Sequence, residues 1–321
     1  MNELFIPAFV NMFEALLRIF IIILLAGILV RKKIITTQQI DALSRITVVV
    51  LLPALVFSNT LLHFDPKKLS YWWLLPLLGI AMSILGVFIA SIVFFKDFKK
   101  KKNMIALASM QNAGYLVLPI GQVIYPDHFE AFATLTFLFI LGYNPVLWTA
   151  GKQLITSSEE KQQLINWKQI ITPPAAANLI SLLIVLLNLQ KIFPAIVIEP
   201  IDFLGKAAVP VATFVLGATL GSISLKHFHD IGDIIKVLSV KYILIPLTVM
   251  LLLAYFKTGE KYPLLSDFLI IQAAAAPATG LILQVRSYGG NRQKVAETMF
   301  IAYIICLLAL PFWIAMWHSF Q

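Results

Sequence analysis

The sequence predicts an all-α polytopic membrane protein with ten transmembrane helices, and three observations carry this prediction. Of its 321 residues, 60% are hydrophobic and only 13% are charged, whereas a soluble domain is about half apolar and a quarter charged. Apolar runs of about 20 residues, the length that crosses a bilayer core, recur with short connections between them. The two halves of the chain also match each other, which indicates an internal repeat.

Ten segments have the length and the apolar character of membrane-spanning helices. The first one continues to Val30 without a cleavage-site pattern, which favours a span over a removable signal peptide. The longest connection, 151–168, is polar and is predicted to be a loop between the halves 1–150 and 169–321. The predicted spans are 8–30, 42–62, 71–95, 103–125, 129–150, 169–190, 199–222, 235–256, 266–286 and 295–317.

The positive charges predict the orientation. Most of the 25 Lys and Arg residues lie in connections that follow odd-numbered spans, including Arg31 and the run 99–102, with Lys236 and Lys241 counted there too. The positive-inside rule then puts the 151–168 loop in the cytoplasm and both termini outside the plasma membrane. Topology thus accounts for the net charge of +9 without a nucleic-acid partner, and the lysine run is expected to contact anionic membrane lipids.

The residue types argue against several classes of protein. The single cysteine, Cys306, excludes an intrachain disulfide and a multi-cysteine metal site. His227 and His229 flank a predicted cytoplasmic turn without a third ligand, so we expect no metal and no other cofactor. An intramembrane enzyme is disfavoured because no His stands near the centre of a span and the carboxylates are scattered. Without an ATP-binding motif, transport would be driven by gradients.

The repeat has five spans in each half. Because five is an odd number, the second half must enter the membrane with the opposite polarity, which gives an inverted-topology repeat. Such repeats are typical of secondary transporters, whose sites lie near the midplane where discontinuous helices meet. The matched positions are Pro76 with Pro246, Gly114 with Gly280, Pro145 with Pro311, and the segment 53–57 with 210–214.

The fourth and ninth spans are predicted to be interrupted near the bilayer centre. The helix from Asn103 to Asn112 and that from Asp267 to Ala276 each rise about 14 Å, roughly half of the hydrocarbon thickness. The inverted repeat brings them in from opposite faces. The two breaks are therefore expected to cross at mid-membrane.

Proline and glycine account for these interruptions. Pro277 cannot donate to the carbonyl of Ala273, and Pro119 leaves the carbonyl of Tyr115 without its usual donor. Unpaired backbone groups in lipid cost several kcal/mol, so a break is stable only against protein, water or a ligand. Crossed half-helix N-termini suit a carboxylate, and the carbonyl ends suit a cation. The alternative is a pair of ordinary proline kinks, with Asn112 forming a hydrogen bond between neighbouring helices.

The predicted substrate site is this crossing together with polar residues of neighbouring spans. Glu14 and Arg18 are spaced to pair on the first span. They are either a self-neutralising pair that faces the bundle interior or functional groups, with Arg18 balancing a carboxylate and Glu14 taking up a proton. The predicted lining residues are Gln111, Asn112, Ala113, Gly114, Tyr115, Ala276, Pro277, Ala278, Thr279 and Gly280, with Ser109, Gln272, Asn178, Glu14 and Arg18 as additional candidates.

Four motifs extend the prediction: NAGYLVLP in the fourth span, TPPAAANL at the sixth, AAAAPATGLIL in the ninth and SYGGNRQKVAETMFIAYIICLLALPFWI in the tenth. Together they resemble the auxin efflux carrier family, whose bacterial members are often described as malate or malonate permeases. Asn112, Pro119 and Pro277 match its patterns. Val117 stands where a glycine often precedes the LP pair, and Ala278 and Thr279 replace a polar amide after Pro277.

The resemblance covers essentially the whole chain and implies an architecture. It implies two inverted five-helix repeats with crossed, broken helices 4 and 9, as in the bile acid:sodium symporters. Helices 1, 2, 6 and 7 would form a scaffold, and helices 3–5 and 8–10 a mobile transport unit.

The leading functional interpretation is a secondary carrier. It would move a small organic anion, a carboxylate, across the plasma membrane by elevator-like alternating access, with H⁺ or Na⁺ as the candidate coupling ion and a homodimer as the candidate assembly. The alternative is a coupled symporter of the bile acid:sodium symporter type. Neither break contains Asp or Glu, which disfavours a sodium site of that kind. A channel is less favoured because the chain contains its own inverted repeat.

Overall fold

The computed structural model describes residues 2–155, 171–223, 231–288 and 292–320, and these residues are mainly helical. Most of the predicted 151–168 loop, as well as His227 and His229, lies outside them. The helices are α1 (Asn2–Arg31), α2 (Thr37–Ile46), α3 (Leu52–His63), α4 (Leu74–Val93), α5 (Lys102–Ser109), α6 (Val117–Ile124), α7 (Phe129–Val146), α8 (Lys152–Ile155), α9 (Pro173–Leu186), α10 (Ala195–Lys206), α11 (Ala208–Gly221), α12 (Ile231–Ser239), α13 (Ile245–Tyr255), α14 (Thr258–Lys261), α15 (Pro263–Ala274), α16 (Gly280–Tyr288) and α17 (Arg292–Phe320).

Seven helical segments in the described part of the chain are long and apolar enough to cross a membrane, as expected for a polytopic membrane protein. They correspond to seven of the ten predicted spans. Of the other three, the sixth is described as the 14-residue α9, and the fourth and ninth are each divided into two short helices. The seven segments are Phe5–Arg31, Thr37–His63, Leu74–Val93, Pro126–Ile155, Ala195–Gly221, Ile231–Tyr255 and Gln293–Phe320.

Prolines shape two of the long segments without breaking them. Pro53 follows the π-helical turn Thr47–Leu51, and Pro246 follows the π-helical turn Val240–Leu244. A proline inside a helix cannot donate to the carbonyl four residues earlier and clashes with it, and a π-helical turn relieves both problems. The carbonyl that Pro246 leaves free belongs to Tyr242, and it accepts a hydrogen bond of 2.6 Å from the indole N–H of Trp313.

Lys241 corrects one step of the orientation argument. The sequence predicts it among the positive charges of a connection, but it stands inside the eighth span, in the turn Val240–Leu244, and is only 1% exposed. A buried lysine carries no information about topology, because it does not reach either membrane surface. The predicted orientation is unchanged, since the other Lys and Arg residues keep the same asymmetry.

Close helix packing depends on glycine at two contacts. A Cβ atom on Gly142 of α7 would overlap the carbonyl oxygen of Pro76 in α4, and a Cβ atom on Gly217 of α11 would overlap the carbonyl oxygen of Ile23 in α1. Small residues let helix backbones approach closely in a membrane, where van der Waals contact holds helices together. The largest buried hydrophobic cluster lies mainly between α4, α5, α7, α13, α15 and α17.

Two aspartates tie helix ends together on opposite ends of the bundle. At one end, Asp233 of α12 accepts from Lys101, just before α5, at 2.5 Å and from Lys294 of α17 at 2.7 Å. At the other end, Asp267 of α15 accepts from Tyr125, which follows α6, at 2.7 Å and contacts His318 of α17 at 3.0 Å. Helix α17 is thus attached at both ends to the two interrupted spans.

Candidate functional site

The breaks in the fourth and ninth spans cross each other and pair through their backbones. Helix α5 ends at Ser109 and α6 begins at Val117, while α15 ends at Ala274 and α16 begins at Gly280. The extended segments between them run antiparallel and form a β-bridge between residues 111 and 277. The amide of residue 112 donates to the carbonyl of residue 276 at 2.7 Å, and the amide of residue 278 donates to the carbonyl of residue 110 at 3.0 Å. Backbone groups that the breaks release therefore satisfy one another.

The two prolines act differently from each other. Pro277 lies inside the extended segment, after the end of α15, as predicted for a helix breaker. Pro119 is instead the third residue of α6, in its first turn, so it does not end a helix. The amides on either side of it, those of Leu118 and Ile120, donate to the carbonyls of Gly114 and Leu116, and Pro119 has no N–H to donate to the carbonyl of Tyr115 between them, as predicted. The carbonyl of Ala113, between α5 and α6, accepts from the side-chain amide of Gln272 at 3.1 Å.

Two tyrosines that the sequence did not single out hold the crossing in place. The side-chain amide of Asn112 donates to the Tyr303 hydroxyl at 2.6 Å, and that hydroxyl donates to the carbonyl of Pro277 at 3.1 Å. The hydroxyl of Tyr143 donates to the carbonyl of Gln111 at 2.5 Å. Both tyrosines are buried in apolar spans, where no spacing pattern distinguishes them from packing residues.

A cavity of about 410 Å³ ends at this crossing. Its wall includes Thr37 of α2, Thr172 just before α9, and Ser222 just after α11, so it opens at the end of the bundle where α2 and α9 begin. Asp41 is the single charged side chain among the described residues of the wall. The predicted site residues on the wall are Gln111, Asn112, Ala113, Gly114, Tyr115, Asn178, Ala278, Thr279 and Gly280.

The other predicted site residues lie elsewhere. Ala276 and Pro277 contribute the backbone pairing described above, and Gln272 supports the crossing from behind. The Ser109 hydroxyl donates to the carbonyl of Ile105 at 2.7 Å, within its own helix. None of these four predicted side chains is part of the cavity wall as the described residues define it.

Glu14 and Arg18 are exposed on the outer face of α1. Neither is among the residues that line the cavity. No ion pair joins them within the described chain, although their spacing would permit one. The structure therefore places this charge pair away from the crossing, on a surface that faces out of the bundle.

The polar groups of the wall can hold a small anion without a basic side chain. At the start of α6 the amides of Leu118 and Ile120 donate to the carbonyls of Gly114 and Leu116, and at the start of α16 those of Leu281 and Ile282 donate to the carbonyls of Ala278 and Thr279. The amides of Val117 and Gly280 have no acceptor among the described residues, and helix N-termini carry partial positive charge. Asn178 donates to the carbonyl of Phe137 at 2.7 Å, and its buried Oδ1 has no hydrogen-bond partner among the described residues. This oxygen could accept from a hydroxyl or a protonated acid. Most of the remaining wall is apolar.

Comparison with known proteins gives the family. The family model described as Membrane transport protein matches residues 11–314, which include both breaks and all residues of the cavity wall. An uncharacterized transporter from Methanothermobacter thermautotrophicus is 23% identical, over 95% of this chain and 98% of that protein. PIN-LIKES 3 and PIN-LIKES 1 from Arabidopsis thaliana are 29% and 27% identical over 52% of this chain, and the matches cover only 44% and 37% of those two proteins. The predicted family is confirmed: the chain belongs to the membrane transport proteins of the auxin efflux carrier family.

Proposed function

We propose that this protein is a secondary carrier for a small organic carboxylate. The observation that carries the proposal is the cavity of about 410 Å³ that ends at two half-helix N-termini. Its volume is at the small end of the range for ligand cavities. Backbone N–H groups, Asn112 and Thr279 would hold the carboxylate, Asn178 would accept from a hydroxyl of the same molecule, and the apolar wall would contact the remainder.

The cavity would face the cytoplasm of a cell whose plasma membrane holds this protein. It opens at the end of the bundle where α1 ends and α2 begins, next to Arg31, Lys32 and Lys33. By the positive-inside rule that end is cytoplasmic, so both termini are outside. The described conformation would then be the inward-facing state of an alternating-access cycle.

Ten helices in two inverted repeats would divide into a scaffold and a moving unit. The interrupted spans are tied to α12 and α17 by Asp233 at one end and to α17 by Asp267 at the other, which supports movement of these helices as one body. Helices α2, α3, α9 and α11 supply the opposite wall of the cavity. If the interrupted spans, α12 and α17 slid as one unit along α2, α3, α9 and α11, they would carry the crossing, and a bound anion, across the membrane.

Gly280→Leu is expected to abolish transport by filling the cavity. A Cβ atom at Gly280 has no neighbour closer than 3.6 Å, so a larger side chain can extend into the space at the crossing without displacing backbone. The measurement is counterflow of labelled mono- and dicarboxylates into proteoliposomes loaded with the same unlabelled acid, with sodium and pH varied in separate arms.

The control for this experiment is the melting temperature of the purified variant. We expect wild-type protein to be stabilised by the transported acid in proportion to the logarithm of its concentration, and Gly280→Leu to show the same melting temperature without acid but no stabilisation with it. Counterflow by Gly280→Leu at the wild-type rate would contradict the site, and wild-type protein without carboxylate counterflow would contradict the function.

A second copy of the chain is the partner that the outer face of α1 would fit. Glu14 and Arg18 lie about 14 Å and 20 Å along the helix from Phe5, in the middle of the span, where lipid cannot solvate a charge. In a parallel pair of α1 helices related by a two-fold axis, Glu14 of each copy can reach Arg18 of the other. Exposed residues of α1 also recur at alternating spacings of four and three, which is the spacing of residues that face a partner helix in a coiled coil. These seam residues are Val10, Glu14, Leu17, Ile21, Leu24 and Ile28.

Leu17→Cys is expected to form a disulfide-linked dimer when membranes are treated with a mild oxidant, because equivalent seam residues face each other across a two-fold axis. Gel mobility without reducing agent measures the linkage. The native Cys306 is buried and should not react. Ile19→Cys on the buried face of the same helix is the matched control and should stay monomeric. A Leu17→Cys protein that remains unlinked would argue against this dimer.

A further inference from the structure

Lys241 is a buried cation in the interior of the group of helices that includes both breaks. It is 1% exposed and stands in the π-helical turn Val240–Leu244 of the eighth span. That turn packs against α4, α5, α15 and α17.

The surroundings of Lys241 offer it no countercharge. No carboxylate of the described residues lies within 4 Å of its Nζ, and the titratable side chain that faces it is Cys306 of α17. An ammonium group buried without an opposite charge is strongly disfavoured. The other titratable groups on its own turn and on the packed helices are Tyr242, Tyr303, Lys102, Asp267, Lys294, Glu297 and His318, and of these the first two are neutral hydroxyls and the rest lie near helix ends.

A short chain of contacts joins Lys241 to the crossing. The Cys306 thiol donates to the carbonyl of Ala274 at 3.7 Å and also contacts the backbone of Ala276. The carbonyl of Ala276 in turn accepts from the amide of Asn112. Lys241 is not part of the cavity wall, so it would act on a ligand at the crossing without touching it.

The cavity wall itself carries no basic side chain among its described residues. An anion at the crossing would therefore interact with the amine of Lys241 through the protein between them, whose low dielectric constant strengthens interactions between charges. The anion would favour the protonated amine, and the empty site would favour the neutral amine. Binding of anion and binding of proton would then assist each other.

We propose that Lys241 is the proton-binding residue of the carrier, and this inference rests on the proposed carboxylate transport. The neutral amine takes a proton from water as the anion binds, and it returns the proton to water after the anion leaves on the other side. One carboxylate thus moves with one proton, and no net charge crosses the membrane. The residue does not touch the substrate; it acts through the field at the crossing.

The experiment compares net uptake and counterflow of the best carboxylate in proteoliposomes clamped at zero membrane potential. With wild-type protein, a gradient of one pH unit should accumulate the acid about tenfold, which is the ratio set by one coupled proton. Lys241→Arg keeps the charge but cannot release its proton, so it should retain counterflow and lose the accumulation. Lys241→Met, which is similar in length and apolar, should lose accumulation and require more substrate for counterflow.

Lys206→Gln is the matched control, since Lys206 is an exposed lysine paired with Asp202, and it should accumulate the acid as wild type does. Melting temperatures establish that each variant is folded; if Lys241→Met is not recovered, Lys241→Arg decides. Tenfold accumulation by either Lys241 variant overturns the proposal, as does wild-type counterflow without any response to pH. Wild-type protein without counterflow overturns the proposed function instead.

Discussion

Asn112→Ala is expected to lower carboxylate counterflow by about 100-fold while the protein stays folded. The side chain lies on the cavity wall and also donates to Tyr303, which in turn donates to the carbonyl of Pro277. A hydrogen bond to a charged group contributes about 1.5–3 kcal/mol, and the upper value corresponds to roughly 100-fold. The measurement is the initial rate of counterflow at a fixed amount of protein in the liposomes.

Two variants separate a direct role of Asn112 from a structural one. Asn59→Ala removes another buried asparagine, which donates to Thr134 at 2.9 Å away from the cavity; it should lower the melting temperature and leave the rate within about twofold. Tyr303→Phe keeps Asn112 but removes its hydroxyl partner. If Tyr303→Phe reproduces the whole loss, Asn112 acts by holding the crossing, and the assignment of Asn112 as a substrate ligand is wrong.

Gly142→Ala is expected to have the largest effect on stability although it adds a single methyl group. That methyl group would overlap the carbonyl oxygen of Pro76, which is backbone and cannot rotate away. Helices α4 and α7 would have to separate, and overpacking of this kind costs about 3 kcal/mol. We expect a melting temperature lower by about 10 °C, measured by thermal unfolding of protein in detergent, with reduced recovery from membranes.

Gly232→Ala is the control for the chemical change itself. A Cβ atom at Gly232 meets no atom within 4 Å, and the residue lies in a helix, where alanine is favoured over glycine by about 1 kcal/mol. Its melting temperature should be unchanged or slightly higher. A Gly142→Ala protein as stable as this control would show that α4 and α7 are not packed as closely as described. Gly142→Ala adds fewer atoms than Gly280→Leu but is expected to destabilise the protein more, because its added atoms meet backbone and not open space.

The crossing has to combine an open site with a satisfied backbone. Pairing between the segments around residues 111 and 277 removes most of the cost of breaking two helices inside the membrane. The amides of Val117 and Gly280, at the starts of α6 and α16, have no acceptor among the described residues, and a carboxylate would use them together with the partial positive charge of the two helix N-termini. In the proposed carrier, a site built in this way would bind an anion without a lysine or arginine in contact with it. The proton on Lys241 would then regulate the field without obstructing the cavity.

Movement of such a unit requires rigid ends and a sliding contact. The ion pairs of Asp233 and the contacts of Asp267 join helix ends within the group that contains the crossing. Helix α1, by contrast, packs against both α11 and α17, so one of these contacts must slide if the unit moves. The tight backbone contact of Gly217 with Ile23 would make α11 the fixed neighbour of α1 in such a movement.

Hydropathy and the repeat were sufficient to predict the helical class and the location of both interruptions. A lipid environment forces backbone groups into helices, so long apolar runs have few alternatives. Gly114 and Gly280 were matched by the repeat, and both are on the cavity wall. The division of the fourth and ninth spans was predicted from proline and glycine, although Pro119 turned out to begin a helix and not to end one.

Sequence alone determined the membrane class, the family and the two interrupted spans, because these depend on local composition and on order along the chain. Only the tertiary structure decided which side chains meet. Tyr143 and Tyr303 reach the crossing from distant spans, Glu14 faces outward, and Lys241 is buried inside its span. The physical reason is the rotation of each helix about its axis, which packing against neighbouring helices sets and which uniformly apolar spans leave undetermined.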